Sequence, residues 1–73
     1  GVQEEFYENG NLQTIQRYKD GQLHGIREEF FENGKLKKRD RYKNDQLHGV
    51  CELFDHNGEL YLRTQYKKGK IQN

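Results

Sequence analysis

Large apolar residues are sparse along this chain, and their spacing returns every 24 positions. Val2, Ile26 and Val50 align at that interval, then Phe6, Phe30 and Phe54, Leu12, Leu36 and Leu60, and Tyr18, Tyr42 and Tyr66. The polar punctuation keeps the same step. Gly1, Gly25 and Gly49 align, as do Asn9-Gly10, Asn33-Gly34 and Asn57-Gly58, and Leu23-His24-Gly25 with Leu47-His48-Gly49. Units 1–24, 25–48 and 49–73 account for the whole chain as one repeat domain, which leaves no linker and no second domain.

Each unit reads as a β-hairpin. Turn signals recur at Asn9-Gly10, Asp20-Gly21, Asn33-Gly34, Asn44-Asp45, Asn57-Gly58 and Lys68-Gly69, and strands of roughly six residues fit between them. A helix competes poorly, since a glycine every dozen residues would cost it about 1 kcal/mol each time. The expected fold is all-β: three 24-residue hairpin repeats in one elongated, twisted antiparallel meander of six strands. Asp45 takes a turn position that glycine holds in the other units, and Asp tolerates a positive φ better than most residues.

Register follows from which positions stay apolar. A two-residue turn at Asn33-Gly34 would set Phe31 opposite Leu36, whereas a three-residue loop, Glu32-Asn33-Gly34 with Gly34 left-handed, sets Phe30 opposite Leu36. Position 30 is Phe in every unit, but position 31 becomes Tyr7, Phe31 and Asp55. A core cannot take that Asp cheaply. The three-residue loop is therefore expected, with turn glycines Gly10, Gly34 and Gly58. Alternation then places Phe6, Phe30, Phe54, Leu12, Leu36, Leu60, Tyr18, Tyr42 and Tyr66 on one face as the core, beside Ile26 and its equivalents. The same register pairs Glu28 with Lys38 and Glu29 with Lys37, and sets Arg27 against Arg39 in a like-charge conflict. Tyr7, Ile15, Phe31, Leu53 and Tyr61 fall on the outer face, with Leu53 opposite Tyr61.

Composition sharpens this picture. Hydrophobic residues are 30% of the chain, against roughly 45–50% in an ordinary domain, so only regular placement can hold it folded. A single sheet has no second layer for its apolar side, and the chain is expected to belong to a longer array or to pair with another copy. No apolar run approaches the ~20 residues of a membrane span. Cys51 is the only cysteine, so no internal disulfide forms.

The stretch from Gly25 to Gly49, with its aromatic-Glu-Asn-Gly-x-Leu and Tyr-Lys-x-x-x-Leu-His-Gly marks, resembles a MORN repeat of the type 2 variant. The resemblance covers all three units. Bacterial proteins of this variant are commonly labelled antitoxin components of a YwqK-like family, which implies a scaffold or binding surface and a bound toxin partner. Two departures stand out: Asp45 replaces a glycine, and the last unit ends Ile71-Gln72-Asn73 without His-Gly.

Candidate chemistry is thin. His24 and His48 sit one hairpin apart, roughly 10 Å, too far to share a zinc ion that wants ligands near 2.1 Å; turn packing is the expected role of Leu-His-Gly. His56 lies only five residues from Cys51, but a thiol nucleophile would also need an orienting group and an oxyanion site. Cys51 is expected on the face away from the phenylalanines. Glu4, Glu5, Glu28, Glu29 and Glu52 recur at matching repeat positions, as cross-strand ion pairs do. No serine is present. No catalytic residue, metal site or cofactor is expected.

The run 35–43 is the sharpest charge feature. The facing Glu28, Glu29 and Glu32, a net charge of +1 and a pI near 8.1 disfavour a nucleic-acid or membrane tether. The expectation is a non-enzymatic module that binds another protein, an acidic toxin-like partner included. Tyr7, Phe31 and Tyr61 would make the contact, and Lys37, Arg39 and Arg41 would steer.

Overall fold

The computed structural model describes residues 1–72. Nine strands run in chain order: β1 (Val2–Phe6), β2 (Leu12–Lys19), β3 (Gln22–Leu23), β4 (Gly25–Phe30), β5 (Leu36–Lys43), β6 (Gln46–Leu47), β7 (Gly49–Phe54), β8 (Leu60–Lys67) and β9 (Lys70–Gln72). All pair antiparallel in one open sheet of order β1-β2-β4-β5-β7-β8-β9, with β3 on β2 and β6 on β5. The six long strands are the expected meander. The three short ones are an addition to it, made where each unit's second strand turns back on itself.

Both kinds of turn are set by local chemistry. At the Asn-Gly end, Gly34 N–H donates to Phe31 O at 2.9 Å and Phe31 N–H to Lys35 O at 2.8 Å, with Gly34 at φ +88°. That is the three-residue loop, repeated around Gly10 and Gly58. Asn33 Oδ1 accepts from Lys35 N–H at 2.9 Å and steadies the loop. At the opposite end, Asp20-Gly21, Asn44-Asp45 and Lys68-Gly69 hold positive φ at both positions, the signature of a type I′ two-residue turn. Each returns a strand of two or three residues.

Phe30 faces Leu36 as expected, but the register slips at once: Glu29 pairs with Lys38, Glu28 with Arg39, Arg27 with Asp40 and Ile26 with Arg41. One extra residue, Lys37, bulges from β5. The same slip occurs between Glu5 and Phe6 and between Leu53 and Phe54. It corrects the expected Glu28–Lys38 and Glu29–Lys37 pairs, and it removes the Arg27–Arg39 conflict by giving Arg27 an acid to face.

A one-residue slip exchanges the faces of everything beyond it. Tyr18, Tyr42 and Tyr66 therefore leave the phenylalanine side, where they were expected, and join Cys51 and Leu53 on the other. Ile15, expected outside with Leu53, pairs with Glu4 and Glu28 on the phenylalanine side. Leu53 faces Leu62 rather than Tyr61. Each side thus carries apolar groups in one stretch and polar groups in the other.

Between the pairs Tyr18↔Leu23 and Ile15↔Glu28 the chain takes five steps on one side and three on the other. Leu-His-Gly makes this jog. His24 N–H still donates to Arg17 O at 2.9 Å, and the Arg17 guanidinium fills the gap by donating to Ile26 O at 2.7 Å. Arg41 repeats this on Val50 O at 2.7 Å. Gly49 sits in the jog at φ +114°, where an added methyl would meet Arg41 Cδ at 3.3 Å.

The sheet is a slab of 35 × 30 × 10 Å, nearly as broad as long rather than elongated. Its surface of 5219 Å² exceeds the roughly 4,800 Å² of a compact protein of this mass. Among the described residues only Cys51, at 8% exposure, and Asp40, at 4%, are buried. The expected core is accordingly shallow: Phe30, Phe54, Leu12, Leu36, Tyr18, Tyr42 and Tyr66 are half-buried, while Phe6 and Leu60 remain 58% and 47% exposed. With one layer, a side chain is covered only by its neighbours in the same plane.

Candidate functional site

The tyrosine side of the last two units holds a shallow cavity of about 240 Å³ lined by Lys38, Asp40, Tyr42, Leu47, Cys51, Leu53, Leu62, Thr64 and Tyr66, with Glu52 beside them. Register builds it. Cys51 pairs with Thr64 and Leu53 with Leu62, Lys38 pairs with Leu53 across the join between β5 and β7, and Tyr42 pairs with Leu47. Asp40 lies at its floor, with Lys38 Nζ at 3.6 Å from its carboxylate. Burial pushes the Cys51 thiol above its ordinary pKa, and the Asp40 carboxylate adds to the rise. Burial, then Asp40, pushes up Tyr42 as well. Both groups stay protonated at neutral pH, so Cys51 is a packing group there and a poor nucleophile.

A second cluster lies at the Asn-Gly end. The Phe31 ring stacks on His56 with centroids 4.2 Å apart and planes at 27°. Lys37, the bulged residue, places its Nζ 5.8 Å from the Phe31 centroid. Tyr7 Oη donates to Phe30 O at 2.7 Å. Asn9 and Asn11 donate to Glu32 O, and Asn33 donates to His56 O, so successive loops are laced to one another. The opposite end is laced too. Asp45 N–H donates to Leu23 O at 3.0 Å while Asp45 Oδ1 accepts from Leu23 N–H at 2.6 Å. His48 Nδ1 accepts from Lys68 N–H at 3.4 Å, so this imidazole packs against the next turn.

On the phenylalanine side Arg39 and Arg41 are engaged in a lattice. Arg39 reaches Glu28 at 3.2 Å in its own hairpin and Glu52 at 3.7 Å in the next. Arg41 donates to Val50 O and lies 3.5 Å from Glu52. The sheet therefore divides the residues expected to meet a partner. Tyr7, Phe31 and Lys37 gather at the Asn-Gly end. Tyr61, 64% exposed, stands on β8 at the position Lys37 holds in the unit before. Arg39 and Arg41 are bracing groups rather than free steering charges.

Sequence reading missed the cavity, because it needs the bulge to bring the tyrosines and Asp40 across. One signal was available: the Arg27–Arg39 conflict disappears under a one-residue slip, and the slip builds the site. Glu28 and Glu52 stand in cross-strand ion pairs, Glu29 pairs with Arg27 on its own strand, and among the described residues Glu4 and Glu5 form no ion pair. Among the described residues no three His, Cys, Asp or Glu side chains gather as metal ligands.

A family model described as a MORN repeat variant matches three times, over residues 1–20, 23–44 and 47–68. No curated protein and no solved structure matches the chain. With one hairpin under each matched stretch and most of its length covered, the chain belongs to the MORN repeat variant family, whose repeats are typically non-catalytic binding or scaffold elements.

Proposed function

We propose that the chain is a non-enzymatic scaffold that holds a protein partner, in the manner of an antitoxin component. The observation that carries this reading is the uncovered cavity on the tyrosine side. Leu47, Leu53 and Leu62 wall it, Tyr42 and Tyr66 flank it, and no other part of the described chain lies over it. Leu62 remains 50% exposed and Tyr61 64%. Apolar groups rimmed by polar ones on an open face suit a protein contact. Tyr7, Phe31 and Lys37 extend the contact to the Asn-Gly end, and Lys37, exposed and outside the ion pairs, supplies the steering charge in place of Arg39 and Arg41. An anionic-lipid or nucleic-acid tether along residues 35–43 is the rival reading. The pairing of Lys38, Arg39 and Arg41 with Asp40, Glu28 and Glu52 counts against it.

Titration calorimetry against the protein encoded by the neighbouring gene tests the reading. Binding is expected, with Leu62→Asn and Lys37→Glu each weakening it by about tenfold, and with no heat from anionic vesicles or oligonucleotides at low salt. A partner that binds both variants as tightly as the parent chain would overturn it.

A further inference from the structure

The two outer edges of the sheet are the two sides of one join. Inside the molecule that join is made twice, each time by two backbone pairs. Thr14↔Glu29 and Ile15↔Glu28 link β2 to β4; Lys38↔Leu53 and Arg39↔Glu52 link β5 to β7. At the 24-residue step, the corresponding positions are Leu62 and Arg63 on β8 and Glu4 and Glu5 on β1. Both sets lie on open edges. β1 is exposed along its whole length, and β8 is exposed from Leu60 to Arg63. β9 covers only Gln65–Lys67.

The edges match in charge as well as in register. At the internal join Arg39 bridges Glu28 of its own hairpin and Glu52 of the next, at 3.2 and 3.7 Å. Arg63 occupies Arg39's place, opposite Glu52 in its own hairpin. Among the described residues neither Arg63 nor Glu4 nor Glu5 forms an ion pair. Glu4 is what Arg63 lacks.

The geometry points to a second copy of this chain as the occupant. Strand β1 of one molecule adds to β8 of the next, with Leu62 opposite Glu5 and Arg63 opposite Glu4, and continues the sheet from copy to copy. Two β1 edges would set Glu4 and Glu5 against their own kind, so the like-with-like pairing is disfavoured. Head-to-tail contact is heterologous and leaves a free edge at each end, so it extends beyond a dimer. One juxtaposition opposes it. The place of the Phe31–His56 stack is taken by Asp55 of one copy and Glu8 of the next, a like-charge pair that makes this join weaker than the internal ones. Leu62 is shared with the tyrosine-side cavity, but Arg63 and Glu4, where the join is tested, lie outside its lining, so the inference stands or falls apart from partner binding.

Sedimentation velocity over a micromolar to millimolar concentration series tests it. Species larger than a dimer are expected to grow with concentration. Arg63→Glu should lower the association constant by about tenfold, and combining it with Glu4→Arg should restore most of the loss. Circular dichroism of each variant checks that these exposed substitutions leave the sheet intact. An independent variant carries Cys51→Ser, Glu4→Cys and Arg63→Cys. The two edges lie about 24 Å apart across the sheet, so any disulfide must join two copies, and mild oxidation should give a ladder of covalent oligomers. A monomer at every concentration with no ladder, assembly that stops at the dimer, or association indifferent to Arg63→Glu would overturn the inference.

Discussion

Asp45 does two things at once in a position where the neighbouring units use glycine. It adopts φ +67° in a type I′ turn, and its carboxylate takes the Leu23 N–H at 2.6 Å. A side chain there costs backbone energy that the hydrogen bond returns. Asp45→Ala keeps the strain and loses the bond, so urea unfolding should show a loss of about 1–2 kcal/mol. Asp45→Gly gives up both and should fall within about 0.5 kcal/mol of the parent. Equal losses in the two variants would mean that the bond contributes nothing. Cys51 makes a pH prediction. Its pKa is raised in the folded chain by burial and by Asp40, so the folded state retains a proton that the unfolded state gives up first. The stability this represents is fully present below the unfolded thiol value of about 8.5 and declines as pH rises above it. Tyr42 adds a second decline above about pH 10 for the same reason. Urea midpoints measured from pH 7 to the alkaline limit should fall in that order, and Cys51→Ala should flatten the first part while leaving most of the second, which rests on burial and Asp40.

At the scale of the element, the hairpins were readable and the bulges were not. Phe at position 30 in every unit, against Tyr7, Phe31 and Asp55 at the next position, was enough to select the three-residue loop and the Phe30–Leu36 pair. Nothing in the spacing of apolar residues marks Lys37 as an extra residue, because Gln13, Lys37 and Tyr61 at the bulge share no chemistry. Only the charge pairs record it, and they discriminate weakly at roughly 0.2–1 kcal/mol each. The jog at Leu-His-Gly was likewise hidden, since its anchors, Arg17 and Arg41, read from sequence as ordinary basic residues. Arg41 is the sharper case. One guanidinium nitrogen, Nη1, donates to Val50 O at 2.7 Å and lies 3.5 Å from Glu52, a reach and direction that the shorter lysine stem does not reproduce. Arg41→Lys should therefore cost about 1–2 kcal/mol despite keeping the charge. Amide exchange should speed up locally from His48 to Cys51 while the Asn33-Gly34 loop is unchanged. Uniform acceleration along the chain would instead indicate a global loss, with Arg41 having no special place in the jog.

For the whole molecule, the decisive feature is that strength is uneven along the array. Six backbone pairs hold β4 to β5 and six hold β7 to β8, whereas two hold each join between hairpins. Side chains reinforce the joins: Arg39 spans one, Arg17 and Arg41 donate into the jogs, and the asparagines lace the loops. Each hairpin is thus a unit coupled to its neighbours, as in other repeat proteins. The middle hairpin has a neighbour on both sides. The first has only one, and β1 is exposed along its entire length with Val2 at 62%. Native-state amide exchange in dilute solution, below any self-association, should therefore grade from the centre outward. Amides of β4 and β5 should be the slowest, those of β7 and the β7-facing half of β8 intermediate, and those of β1 and β9 the fastest. Arg39→Ala removes one of the two ion pairs that tie the second hairpin to the third, so it should widen the gap between β5 and β7 more than it lowers protection in β1. One protection level across all six long strands would show that the sheet opens as a single unit, and the joins would then have to be as strong as the hairpins they connect.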